Sequence, residues 1–200
     1  MLTTTSATAS DRTPWEAYTM ALDDVTDRLH RITRAMEEQS VPYAVVGGQA
    51  VALWVATREP AAVRTTKDVD LLIRRGDLPR ARAAALSAGM DYFEVLGVGM
   101  FLDRGDPNPR HAVHLVWAGE RVRPEYELPS PTIDQSQSIS GLRAVSLAGL
   151  VSMKLVSNRD QDRLHLRDMI DVDLVGRQML DQLPPSLAER LAALLAESGR

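Results

Sequence analysis

Two aspartates separated by a single residue, Asp68 and Asp70, carry the sharpest chemical signal in the sequence. They open a run, Asp68 to Ile73, whose apolar and β-branched content predicts a strand. Strand side chains alternate between faces, so both carboxylates project to one side while Val69, Leu71 and Ile73 face the other. Carboxylates held side by side repel each other unless a cation lies between them. Mg²⁺, or Mn²⁺ in its place, is a hard ion that suits such a pair together with the phosphate oxygens of a substrate. Upstream, Tyr43 to Val46 predicts a short buried strand that ends at Gly47 and Gly48. Lacking Cβ atoms, these glycines let the backbone turn sharply and let a phosphate approach backbone N–H groups. The Pro-free apolar run Gln49 to Ala56 predicts a helix directly behind them, its N-terminal N–H groups pointing into the same space. Taken singly, a glycine pair reads as a turn and Asp-x-Asp as the solvated face of an edge strand. The conjunction, with a helix between, points to a phosphate-and-metal site.

Residues 43–73 resemble the signature of the nucleotidyltransferase superfamily related to DNA polymerase β, in which a glycine turn opens a helix and Asp-x-Asp follows on the next strand. The wording from Arg64 to Ile73 is most similar to the minimal bacterial nucleotidyltransferases, among them the AbiEii-type toxins of toxin–antitoxin systems. A weaker likeness extends from about Ile32 to Val175. The resemblance implies an α/β fold, a nucleotidyltransferase-like mixed sheet flanked by helices with a C-terminal α-helical extension. It implies transfer of a nucleoside monophosphate from an NTP to an acceptor hydroxyl with release of pyrophosphate. It assigns Asp68 and Asp70 as metal ligands and Gly47 and Gly48 to the phosphate cradle. The acceptor would be RNA (tRNA in some toxin relatives), a protein, or a small molecule such as an aminoglycoside, and a cognate antitoxin would be a partner.

The family's third carboxylate lies on the strand after the central hairpin, and here that strand reads Ala112 to Trp117 with His114 at the corresponding position. An imidazole accepts a proton or binds a metal but supplies no negative charge. With an unperturbed pKa of ~6.5 it suits a general base; equally, it suits a packed histidine in a protein that has lost activity. Glu94, Asp103 and Asp106 would replace the acid only if the hairpin folded toward the site. Two readings therefore stand: an active metal-dependent enzyme, and a catalytically degenerate relative that binds a nucleotide or a partner. Further along, Leu150 to Leu155, Arg159, and Leu166 to Asp171 are similar to the Lys and Arg-Asp motifs of AbiEii-type enzymes. On that resemblance Lys154 is a point charge for the triphosphate, and Asp168 orients it or contacts the site.

The remaining chain supplies the scaffold. Two hundred residues suit a single domain with a small helical extension, and a 44% hydrophobic fraction suffices for a core. A net charge of −4 gives no overall basic footprint, so a nucleic acid would need a local patch. The absence of cysteine excludes disulfides and zinc–thiolate sites. No apolar run approaches a membrane span, and the N-terminus lacks the basic start and apolar stretch of a signal peptide, so a cytoplasmic location is expected. Residues 1–12 read as a disordered arm, 13–145 as the α/β core and 146–200 as the helical region. Thr13, Pro14 and Glu16 form a capping box before an amphipathic stripe at Trp15, Tyr18, Leu22, Val25, Leu29, Ile32 and Met36. The stripe reads as packing on the sheet rather than as a coiled-coil seam. Asp77 predicts the N-cap of a helix from Leu78 to Ala88, with Gly89 beyond it. Arg74, Arg75, Arg80 and Arg82 form a basic cluster, read as a solvated face or as a contact with RNA or nucleotide. Strands are expected at 92–95, 98–102 and 112–117, the last two paired, with a long polar connection over 119–138 and an edge strand from Ile139 to Val145. Helices follow from Leu147, capped by Ser146, from Gln161 to Val175, and beyond Pro184 and Pro185.

Overall fold

The computed structural model describes residues 13–106 and 108–199; the arm expected over residues 1–12 lies outside them. Helix α1, Pro14–Glu38, begins with the expected capping box, Thr13 accepting from the Glu16 backbone and Glu16 returning the bond. The side chains of Trp15 and Tyr18 lie outside the described set. From Val25 onward the stripe is buried: Val25, Leu29, Ile32 and Met36 enter the core, each worth roughly 1.5–3 kcal/mol of apolar burial.

The strands are β1 (Tyr43–Val46), β2 (Val69–Ile73), β3 (Met90–Val95), β4 (Val98–Asp103), β5 (Val113–Trp117), β6 (Ser136–Ile139) and β7 (Leu142–Val145). They form one mixed seven-stranded sheet in the order β3-β4-β5-β2-β1-β7-β6. β1 runs antiparallel to β2, while β2 with β5 and β1 with β7 are parallel. The expected pairing of β4 with β5 is present and antiparallel. The helices are α1, α2 (Gly47–Ala56), α3 (Leu78–Ser87), α4 (Leu147–Ser157), α5 (Asp160–Asp171) and α6 (Pro185–Glu197). α1 and α3 pack on each other and reach β2 and β3; α2, α4, α5 and α6 form a second group that meets the sheet through α2.

Three local expectations differ from the structure. The edge strand expected over Ile139 to Val145 is a hairpin, β6–β7, because Ser140 and Gly141 both take positive φ (50° and 83°) and reverse the chain. Asp77 does not cap α3; its backbone is already helical and its carboxylate accepts from Arg80 Nη2 at 2.6 Å. Helix α5 stops at Asp171 rather than at Val175, since Asp173 turns left-handed (φ 58°) and Leu174 N–H closes back on the Met169 carbonyl. The 118–135 connection has no strand or helix of its own, but Ser130 N–H bonds to the Glu120 carbonyl and Gly119 N–H to the Pro131 carbonyl.

Candidate active site

β1 ends and α2 begins at Gly47, whose φ of +67° suits a residue without a side chain. A Cβ placed there would lie 2.0 Å from Asp70 Oδ2, so the carboxylate packs directly against the glycine. Val46 precedes α2 with no side-chain cap, which leaves the first-turn N–H groups to meet an anion. Gly48 has another duty. It is buried, and a Cβ on it would strike Thr66 Oγ1 at 2.6 Å. The two glycines therefore divide: Gly47 lines the cavity, whereas Gly48 lets the 63–68 segment pack on α2.

β2 places Asp70 beside Val46 on one side and beside His114 of β5 on the other, in matching register. Directly opposed residues on neighbouring strands share a face, so Asp70 and His114 stand side by side. Asp68, just before β2, is exposed, and its charge acts on Asp70. Burial pushes the Asp70 carboxyl above the usual carboxylate range; His114 opposes the shift, Asp68 adds to it, and Lys154 and Arg159 oppose it. No hydrogen bond or ion pair reaches the Asp70 side chain among the described residues.

α4 carries Lys154 within electrostatic reach of Asp70. Its side chain is 8% exposed, and Nζ donates to Asp162 Oδ1 at 2.9 Å. Asp162, 1% exposed, also accepts from Arg159 Nε at 2.8 Å and from the Arg159 backbone N–H at 3.3 Å. Burial alone would raise the Asp162 carboxyl, but Arg159 and Lys154 outweigh it and hold it at about 2. Removing one partner of such a buried pair costs about 3–5 kcal/mol. Asp168, expected to orient Lys154 or contact the site, instead pairs with Arg64 Nε at 2.9 Å, tying the segment before Asp68 to α5. The sequence reading did not single out Asp162. Its signal is an acidic residue in the first turn of a helix, three positions after Arg159.

These groups line a cavity of about 390 Å³, to which Gly97, Val98 and the 118–135 connection also contribute. Gly47, Asp70, His114, Lys154, Arg159 and Asp162 are all in its lining, and the charges of His114, Lys154 and Arg159 act on Asp70. Tyr126, Leu128, Met153 and Val156 also line it, with the Tyr126 hydroxyl against Ser157 Oγ. Glu94, Asp103 and Asp106 do not line it: Glu94 accepts from Tyr92, Asp103 from Arg28 and Arg31, and Asp106 meets His111. The basic cluster is partnered throughout, Arg74 by Asp134, Arg75 by Glu120, Arg80 by Asp77, and Arg82 by the Tyr92 ring; of the four, Arg75 lines the cavity.

A glycine turn opening a helix, followed by Asp-x-Asp at the start of the neighbouring strand of a mixed sheet, defines a nucleotidyltransferase fold. Residues 32–200 match the family described as "Nucleotidyl transferase AbiEii toxin, Type IV TA system", and the chain belongs to it. Among solved structures, the antibiotic-resistance factor ANT(2'')-Ia shares the fold in its solution structure: TM-score 0.51, 15% identity, covering 90% of this chain and 93% of that one. A crystal structure of ANT(2'')-Ia in complex with adenylyl-2''-tobramycin gives TM-score 0.51 and 16% identity, covering 89% of this chain and 99% of that one. No curated protein sequence matches significantly. Among the described residues, no helix is long and apolar enough to cross a membrane.

Proposed function

We propose that the chain moves a nucleoside monophosphate from an NTP to an acceptor hydroxyl, with a divalent ion, Mg²⁺ or Mn²⁺, held by Asp68 and Asp70. The observation that carries this is Asp70: a half-buried carboxylate pressed on Gly47, raised in pKa by burial, with no side-chain partner, while the nearby cations are bonded to Asp162. Such a group is poised for a cation. No set of three His, Cys, Asp or Glu side chains able to hold a metal occurs among the described residues. The pair fits the mode in which Mg²⁺ takes one or two carboxylates and completes its shell with substrate phosphates and water. A bound ion there supplies charge neutralisation at the phosphate oxygens.

The chain's own groups do the rest. Gly47 and the uncapped start of α2 offer backbone donors to phosphate oxygens, and Lys154 and Arg159 offer fixed positive charge. His114, in the row beside Asp70, takes the proton of the acceptor hydroxyl on an imidazole nitrogen. The acceptor oxygen bonds to the α-phosphorus, the bond from that phosphorus to the β-bridging oxygen breaks, and pyrophosphate leaves. The chain acts in the cytoplasm as the toxin of a toxin–antitoxin pair.

The same histidine favours a second reading. With His114 in place of an acid, the site carries less negative charge than the family pattern, which suits a nucleotide-binding protein without transfer activity. The experiment is incubation with each labelled NTP, Mg²⁺ or Mn²⁺, and separate pools of RNA, protein and aminoglycoside. Label in one pool names the acceptor and must vanish with Asp70→Asn. NTP binding without label in any pool selects the second reading, and no NTP binding at all rejects both.

A further inference from the structure

We propose that Asp162 is a positioning residue: its buried carboxylate holds Lys154 and Arg159 as one preset cationic pair for the triphosphate. The inference rests on the nucleotide-binding reading above and assigns the device that makes the phosphate end of the cavity selective. The chain builds it at a corner. α4 ends at Asn158, whose φ of 48° reverses the backbone, and α5 begins two residues later. Lys154 in the last turn of α4, Arg159 at the N-cap of α5 and Asp162 at its third position are thereby folded onto one carboxylate.

The charge count favours a phosphate site over a neutral brace. Two cations share one carboxylate, so the cluster carries +1 toward the cavity that all three line. Donors remain as well. An ammonium has three N–H and a guanidinium five. Asp162 engages one from Lys154 and the Nε–H of Arg159, and no other acceptor takes either side chain among the described residues. A lysine on a flexible stem gains direction when one of its protons is already bonded, and an arginine fork gains it more. Without Asp162, the long Arg159 side chain, 64% exposed, would relax into solvent.

The test is calorimetric titration of an NTP, of inorganic tripolyphosphate and of the parent nucleoside, without acceptor. Asp162→Asn is expected to raise the Kd of NTP and of tripolyphosphate about tenfold and to leave the nucleoside within twofold. Lys154→Ala added to Asp162→Asn is expected to raise it little further, because the pair is already released. A merely structural brace would lower the melting temperature while the folded variant bound tripolyphosphate as wild type does; that result, or strict additivity with Lys154→Ala, overturns the inference. Asp162→Glu keeps the charge and guards against a variant that does not fold. It is expected to bind tripolyphosphate with a Kd between those of wild type and Asp162→Asn, and wild-type affinity in it counts against the inference. If wild type binds neither NTP nor tripolyphosphate, the nucleotide-binding reading itself falls. If wild type binds and all variants match it, the positioning role alone falls.

Discussion

Gly47 serves stability and function together, whereas Asp70 sets them against each other, and each can be tested by itself. Gly47→Ala puts a methyl 2.0 Å from Asp70 Oδ2 at a φ of +67°, so both the backbone and the carboxylate must shift. It is expected to destabilise by about 1–2 kcal/mol from the left-handed backbone alone and to abolish metal-dependent NTP binding. A Gly47→Ala protein that melts and binds as wild type does would remove the turn from the site. Asp70→Asn should do the reverse on the first count. Burial holds the Asp70 carboxyl above its ordinary pKa, so the charged form costs the fold stability at neutral pH. Removing the charge is expected to leave the metal-free melting temperature equal or higher while NTP binding loses its metal dependence. A lower melting temperature would mark Asp70 as a structural acceptor. Asp70 was legible because period-two alternation and a glycine pair are local signals. Asp162 was not, since its partners meet only when Asn158 turns left-handed, and nothing in Asn158's immediate neighbours announces that φ. The packing of Gly48 was not legible for a related reason: the residue that crowds it, Thr66, lies in the following loop.

At the scale of elements, strand and helix existence followed hydrophobic period, and errors fell at reversals. β1 ends where expected, α1 carries its capping box, and α4 its Ser146 cap. The hairpin turns at Leu96-Gly97 and Ser140-Gly141 both place two consecutive residues at positive φ, the geometry of a tight antiparallel turn. Glycine fills one position of each, but Leu and Ser are weak signals for the other, which is why Ile139 to Val145 read as a single strand. Leu96 gives a prediction. It is fully exposed with φ 52°, so it packs on nothing and pays for a left-handed backbone. Leu96→Asn creates the preferred Asn-Gly pair and is expected to raise stability by about 0.5–1 kcal/mol, read as a higher urea midpoint at unchanged slope. An unchanged or lower midpoint would show that Leu96 makes contacts in solution.

For the whole molecule, acid sensitivity should originate in α5, the helix that packs on α2, α4 and α6. His165 is 6% exposed and its Nδ1 is buried without a partner. Burial and the charge of Lys154 lower its pKa to about 4, while Asp162 and Asp168 pull weakly the other way and Arg64 adds to the depression. The folded state thus keeps His165 neutral where the unfolded chain, with pKa 6.5, takes up a proton. Stability is complete above pH 6.5 and falls as the pH drops from 6.5 toward about 4. At 1.36 kcal/mol per unit, the loss is on the order of 3 kcal/mol. Asp162 acts lower: its folded pKa of about 2 lies below the ordinary 3.8, so its contribution is present above 3.8 and lost only as the pH falls toward 2. The two groups therefore separate on the pH axis. Urea midpoints measured from pH 7 to pH 3 are expected to fall in two stages for wild type. In His165→Gln the upper stage should flatten and the lower one persist. If both proteins lose stability in parallel between pH 6.5 and 4, the buried neutral histidine is not the source, and another group must be taking up the proton.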